Sequence, residues 1–213
     1  MGRLRKKPWA EDYLEESSIV ITDPINKKEE WNKSLFKKKQ EIWIEIGMGK
    51  GGHTLELAKQ NTNKNIIGIE IFPSVQVIPV KKAEELKLEN LLFISGDASN
   101  IDEWFKKESI EKIFINFPDP WPKERHAKRR LLFHKFLERY YSILKKDSII
   151  EFKTDQLPLF EFSIDEATNK SKFKIENISR DLHNEGRSII FTEYEKKFSS
   201  MGNKIYYLNL IKK

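Results

Sequence analysis

The chain has no cysteine among its 213 residues. That excludes a disulfide framework, a cysteine-based zinc site and a thiol nucleophile. No apolar run approaches the ~20 residues that a membrane-spanning helix requires. The N-terminus is basic and lacks the apolar core of a secretory signal. A soluble, cytoplasmic protein is expected. Histidine is scarce, with four residues in all. His126 and His134 stand eight apart without acids at a matching spacing, so no metal site is expected. No internal repeat or low-complexity tract interrupts the chain.

What is present is charge. Hydrophobic residues make up 38% of the chain, enough for one compact domain with a core. Charged residues make up 34%, above the ordinary quarter. Lys and Arg outnumber Asp and Glu by 39 to 33, a net charge of +6. The excess gathers in two places: Arg3, Arg5, Lys6 and Lys7 at the start, and Lys123, Arg125, Lys128, Arg129 and Arg130 against Glu124 further on. Clusters of this kind are the electrostatic footprint of a polyanion partner, whereas Lys37, Lys38 and Lys39 read as a solvated face. Residues 1–40 read as a basic arm with a short helix, and residues 41–213 as the main domain.

From Glu41 onward, strand-like and helix-like segments alternate. Strands are expected over 42–46, 65–69, 91–94, 113–116 and 148–153, and helices over 52–60, 74–88, 103–107, 129–143 and 157–168. Residues 173–179 and 205–211 read as two further strands forming a hairpin-like pair. This is the pattern of an α/β fold with a mostly parallel, doubly wound sheet and an antiparallel strand at the C-terminal end. Pro79 conflicts with the second helix, since proline inside a helix costs ~3 kcal/mol. A helix starting at Pro79 resolves the conflict.

Ligands of open α/β sheets sit beyond the carboxyl ends of the strands. There the sequence places Glu45 with Gly47, Gly49, Gly51 and Gly52, then Glu70, then Asp97 and Ala98, then Asn116 and Asp119. A dinucleotide site is the first alternative, because it too pairs a glycine turn with an acid about 20 residues later. Glu45 argues against it, since its charge would repel a pyrophosphate. S-adenosyl-L-methionine brings no phosphate and carries two cationic groups that suit these acids. Glu70 would accept from the ribose hydroxyls, and Asp97 and Ala98 would hold the adenine edge. Taken singly, each acid could equally cap a helix or solvate a loop.

The run from Asn116 to Lys123 (NFPDPWPK) is the most informative stretch. A proline-stiffened loop with a carboxylate, an indole and adjacent basic residues suits a nucleobase beside a phosphate backbone. No covalent nucleophile is evident, so the acceptor must bring its own lone pair. Guanine N7 does so, and its attack needs no proton removed first. Asp119 could accept from the guanine N1–H and N2–H₂ edge, which positions the base and stabilises the developing positive charge. Trp121 could stack on a base at ~1–3 kcal/mol or simply support the loop. Two rival readings stand beside this one. One is methylation of an exocyclic amine of adenine or cytosine, against which Pro120 between Asp119 and Trp121 argues mildly. The other is a non-catalytic RNA-binding protein, against which the intact acid set argues.

Together, the motifs RLRKKPWA (3–10), EIGMGKG (45–51), GIE (68–70), Asp97-Ala98, FPDPWPKERH (117–126), FKTD (152–155) and TEYE (192–195) resemble the bacterial tRNA (guanine-N7-)-methyltransferase family, often called TrmB, over nearly the whole chain. The resemblance implies a Rossmann-like, S-adenosyl-L-methionine-dependent enzyme that forms 7-methylguanosine in the variable loop of tRNA, with neither DNA nor membrane as a partner. Monomer and homodimer both stay open. It implies that Glu45, Gly47, Gly49, Glu70, Asp97, Ala98, Asn116 and Asp119 line the cofactor site, with Asp119 also catalytic. It further implies that Lys123, Asp155, Thr192, Glu193, Tyr194 and Glu195 contact the target nucleotide, and that Arg125, His126, Ala127, Lys128, Arg129 and Arg130 touch RNA. Met48 departs from the small residue usual in the turn, and Pro79 from a regular helix.

Overall fold

The computed structural model describes residues 6–185, Glu195 and residues 203–213. The chain divides into two compact units, Met1–Phe105 and Lys106–Lys213.

In the first unit, the elements run α1 (Trp9–Glu16), β1 (Val20–Ile21), β2 (Glu41–Ile46), α2 (Gly52–Gln60), β3 (Lys64–Glu70), α3 (Pro73–Leu86), β4 (Leu91–Ser95) and α4 (Ile101–Trp104). Its strands lie in the order β1-β4-β3-β2, every pairing parallel. Asn65 to Glu70 are all buried, the near-continuous burial of a parallel strand covered on both faces. Strand β1 was not expected within the arm. Val20 and Ile21 pair with Phe93 and Ile94, so part of the N-terminal segment is built into the sheet. Helix α1 packs on α3, where the Tyr13 hydroxyl donates to Glu84 and Lys81 sits 4.4 Å from the Trp9 ring centroid.

Helix α3 corrects the expectation of a start at Pro79. It begins at Pro73, where the missing N–H is harmless, and runs straight through Pro79. Its ring packs into the space a side chain would occupy at Gly51: a Cβ there would lie 2.3 Å from Pro79 Cβ. The helix expected over 103–107 is the four-residue α4, reached through a 3-10 turn over Ala98–Asn100.

In the second unit, β5 (Ile110–Asn116), α5 (His134–Ile143), β6 (Leu144–Thr154), α6 (Leu157–Lys170), β7 (Lys174–Ser179) and β8 (Tyr206–Ile211) follow. The strand order is β5-β6-β8-β7, with β5 and β6 parallel and β8 antiparallel to both β6 and β7. The chain thus has the expected α/β, Rossmann-like class, mostly parallel with antiparallel pairing at its C-terminal end.

Two boundaries differ from expectation. Residues 129–133 do not join the long helix; Glu124–Arg129 forms a 3-10 turn, and α5 starts at His134. The start is set from a distance, because the buried Glu166 carboxylate accepts the His134 backbone N–H at 2.6 Å and so satisfies one of the orphan donors of the first turn. Strand β6 begins at Leu144 rather than Ser148, with exposed Lys145, Lys146 and Asp147 between its first and second pairings to β5.

Candidate active site

In the first unit, the C-terminal ends of the adjacent parallel strands β2, β3 and β4 carry Glu45, Glu70 and, two residues past β4, Asp97. The turn from β2 to α2 is possible because Gly47, Gly49 and Gly51 take φ values of +71°, +58° and +68°, the left-handed region that only glycine enters without strain. Ile69 O accepts from Gly47 N at 2.9 Å and Met48 N at 3.1 Å. Glu70 fastens the turn from the other side. Its Oε2 accepts from Gly49 N at 2.9 Å, and its Oε1 accepts from Ile71 N and Phe72 N, each at 3.0 Å. Met48 is buried, with its sulfur 2.3 Å from where a Gly68 Cβ would lie. The large residue in the turn is therefore matched by an absent side chain on β3.

The remaining acids of this unit differ in setting. Glu45 is buried, accepts from the Thr54 hydroxyl and pairs with His53 Nδ1 at 3.0 Å. Asp97 is exposed and caps the following 3-10 turn by accepting from Ser99 N at 2.9 Å, with Ala98 buried beside it. These residues fit S-adenosyl-L-methionine. The space beside Gly49 is open, with no atom within 4 Å of the point where a Cβ would lie. The carboxylates of Glu70 and Asp97 offer acceptors, and exposed Ile71 and Phe72 offer an apolar surface directly after Glu70. Sequence reasoning missed Ile71 and Phe72. The signal was an apolar pair directly following the acid at a strand end. It also missed His53 and Thr54, which hold Glu45 from the first turn of α2.

In the second unit, β5 ends in buried Asn116, and the loop with Asp119 follows. Phe117 and Trp121 adopt φ values of +49° and +42°, each costing ~1–2 kcal/mol for an L-residue. Phe117 is anchored by its N–H to Lys153 O at 2.8 Å, and its ring packs on Leu182, Ile205 and Tyr207. The Trp121 carbonyl accepts from Arg130 Nη2 at 3.0 Å and Nε at 3.3 Å. The Arg129 guanidinium lies 4.8 Å from the Trp121 ring centroid, and His126 meets that ring edge-on. Trp121 is thus braced by its own loop. Asp119 is exposed, as are Lys123, Arg125, Lys128 and Arg129, while His126, Ala127 and Arg130 are half-buried.

Lys153, at the end of β6, is buried and pairs with buried Glu195 at 3.1 Å; His183 Nε2 lies 3.5 Å from the same carboxylate. Breaking such a pair by removing one partner typically costs ~3–5 kcal/mol. Asp155 is half-buried. Thr192, Glu193 and Tyr194 lie outside the described residues. Among the described residues, no helix is long and apolar enough to cross a membrane.

A family model described as "Putative methyltransferase" matches residues 39–208. The tRNA (guanine-N(7)-)-methyltransferase of Lachnoclostridium phytofermentans is 44% identical over 210 residues, covering 97% of this chain and 96% of the relative. That of Bacillus subtilis is 41% identical over 206 residues, covering 96% of each. Among solved structures, an antibiotic-related methyltransferase matches with a TM-score of 0.64 at 20% identity, covering 92% of this chain and 96% of its own. A 16S rRNA (adenine(1408)-N(1))-methyltransferase from Catenulisporales acidiphilia, solved with cosubstrate SAM, matches with a TM-score of 0.60 at 10% identity, covering 89% of this chain and 91% of its own. These two show the shared fold. The relatives, similar over nearly their entire length, show more: the chain belongs to the tRNA (guanine-N7)-methyltransferase family.

Proposed function

We propose that this chain transfers the methyl group of S-adenosyl-L-methionine to N7 of a guanosine in the variable loop of tRNA, acting in the cytoplasm. The observation that carries the reading is the 44% identity to a tRNA (guanine-N(7)-)-methyltransferase across 97% of the chain. As a member of that family, the chain is an S-adenosyl-L-methionine-dependent enzyme of tRNA modification.

When bound, the cofactor supplies an electrophilic methyl group on a sulfonium centre. Glu45, Gly47, Gly49, Glu70, Asp97 and Ala98 are its proposed holders in the first unit, and Asn116 and Asp119 in the second. The turn lets the chain approach closely, since no side chain projects at Gly49. Guanine N7 already carries its lone pair, so no residue has to remove a proton before attack. The task left is orientation and charge stabilisation. Asp119, exposed on a braced loop, accepts from the N1–H and N2–H₂ edge of the base and offsets the positive charge that develops on the purine.

Lys123, Asp155 and residues 192–195 are the proposed contacts to the target nucleotide, and residues 125–129 face the RNA backbone. The basic segment among residues 1–40 is a proposed second contact to tRNA, the domain of residues 41–213 carrying the chemistry. The test is direct. The protein is incubated with labelled S-adenosyl-L-methionine and unmodified tRNA, and the RNA is digested to nucleosides. Label in 7-methylguanosine is expected. Label in N6-methyladenosine or N4-methylcytidine, or no transfer, overturns the reading.

A further inference from the structure

Within the basic segment, Arg130 is placed unlike its neighbours. Lys128 and Arg129 are exposed, whereas Arg130 is half-buried. Its guanidinium points into the protein, where Nη2 and Nε both donate to the Trp121 carbonyl, at 3.0 and 3.3 Å. The same guanidinium lies 4.3 Å from the ring centroid of Phe162 on α6. Its backbone is pinned as well: Arg130 N donates to Ala127 O at 3.0 Å, and Arg130 O accepts from Phe133 N at 2.9 Å. A side chain whose root and head are both fixed is poorly suited to tracking a phosphate, and well suited to holding something still.

What it holds is the far end of the loop. The near end is fixed by the Phe117 N–H on Lys153 O at 2.8 Å. The far end is the Trp121 carbonyl, on a residue with φ of +42° that relaxes unless something restrains it. Asp119 stands midway, between Pro118 and Pro120, which allow the loop little freedom of its own. We infer that Arg130 is a positioning residue for Asp119, fixing the loop through the Trp121 carbonyl and the Phe162 face rather than neutralising a phosphate. The inference rests on the proposed methyl transfer and on the role of Asp119 in it.

Lysine separates the two roles. It keeps the charge that a phosphate contact needs but lacks the planar fork that grips one carbonyl with two N–H groups while lying on a ring. Arg130→Lys and Arg130→Ala are each assayed for kcat at saturating tRNA and cofactor, for tRNA affinity across a salt series, and for Tm. Lys128→Ala serves as the phosphate comparison. Both Arg130 variants are expected to lose ~10²-fold in kcat, the scale set by a displacement of about 1 Å in a reacting group. Their slopes of log K against log salt should match the wild type. Lys128→Ala should lower that slope by ~0.7–0.9, one phosphate contact.

Wild-type kcat in Arg130→Lys overturns the inference, and so does a slope lowered by about one contact in Arg130→Ala. A fall in Tm large enough to account for the lost turnover assigns Arg130 to stability alone and also overturns it. The wild-type arm, scored as 7-methylguanosine, reports separately on the function itself.

Discussion

The glycine turn after β2 and the proline loop after β5 solve the same problem in opposite ways. Each must turn sharply off the end of a buried strand and present polar groups there, and each uses left-handed backbone to do so. The first places Gly47, Gly49 and Gly51 at those positions, where glycine incurs no side-chain strain. The second places Phe117 and Trp121 there, at ~1–2 kcal/mol apiece. Strain of that kind persists only when the surroundings over-determine it, and they do: Phe117 is pinned by Lys153 O and by the cluster of Leu182, Ile205 and Tyr207, and Trp121 by Arg130. The shape of the glycine turn is written in its own residues, with Ile69 and Glu70 of β3 fastening it. The proline loop is held by residues up to 90 positions away in sequence, the separation of Phe117 from Tyr207. It is the loop of the two that carries an exposed carboxylate, Asp119, which none of these bracing contacts uses.

The largest expected effect sharpens that contrast. Asp119→Ala should lower single-turnover formation of 7-methylguanosine by at least ~10²–10³-fold, the scale of losing one group aimed at developing charge. Its stability should stay within ~0.5 kcal/mol of wild type, as for exposed positions in general. Glu70→Ala should do the reverse first. It strips the acceptor from Gly49, Ile71 and Phe72 N–H, and lost bonds to a charged group are worth ~1.5–3 kcal/mol each, so denaturant unfolding should show a loss of several kcal/mol. Equal losses of stability in the two variants would erase the distinction between a carboxylate used for structure and one kept for chemistry.

A smaller effect divides the glycine turn itself. At Gly51, an added methyl group meets both the left-handed backbone and Pro79 at 2.3 Å, so Gly51→Ala should cost ~3 kcal/mol or more by strain plus overpacking. At Gly49, the space is empty, and Gly49→Ala should cost only the backbone strain of ~1–2 kcal/mol. Denaturation midpoints of the two variants give the difference. If it vanishes, Pro79 is not packed under the turn.

The same contrast explains what could be read in the sequence. The alternation of elements was legible because parallel strands buried on both faces, such as 65–69 and 113–116, stand out as apolar runs among charged neighbours. Asp119 was legible from its residue type and its flanking prolines. Features that depend on distant partners were not. Val20 and Ile21 form a strand only because β4 offers its edge, and two residues carry no periodicity. The Pro79 ring packs under the glycine turn because Gly51, 28 residues earlier, has no side chain. Arg130 sits in a basic run, and nothing in such a run tells which guanidinium turns inward.

The start of α5 is another such distant effect, and it yields the smallest prediction. Burial raises the pKa of Glu166, but Lys170 at 2.7 Å, the His134 N–H at 2.6 Å and the His134 ring at 2.8 Å more than offset it, leaving the carboxyl below its ordinary value of 4.5. A depressed folded-state pKa means that the unfolded chain takes up the proton first as pH falls. The stabilisation is therefore complete above about pH 4.5 and is lost as pH drops through the lower, folded-state value. Glu166→Gln should cost ~1–3 kcal/mol at neutral pH, and its gap to wild type should narrow steadily below that point. A gap that holds constant in acid would mean that the charge of Glu166 contributes nothing, and that α5 begins at His134 for reasons as local as those that shape the glycine turn.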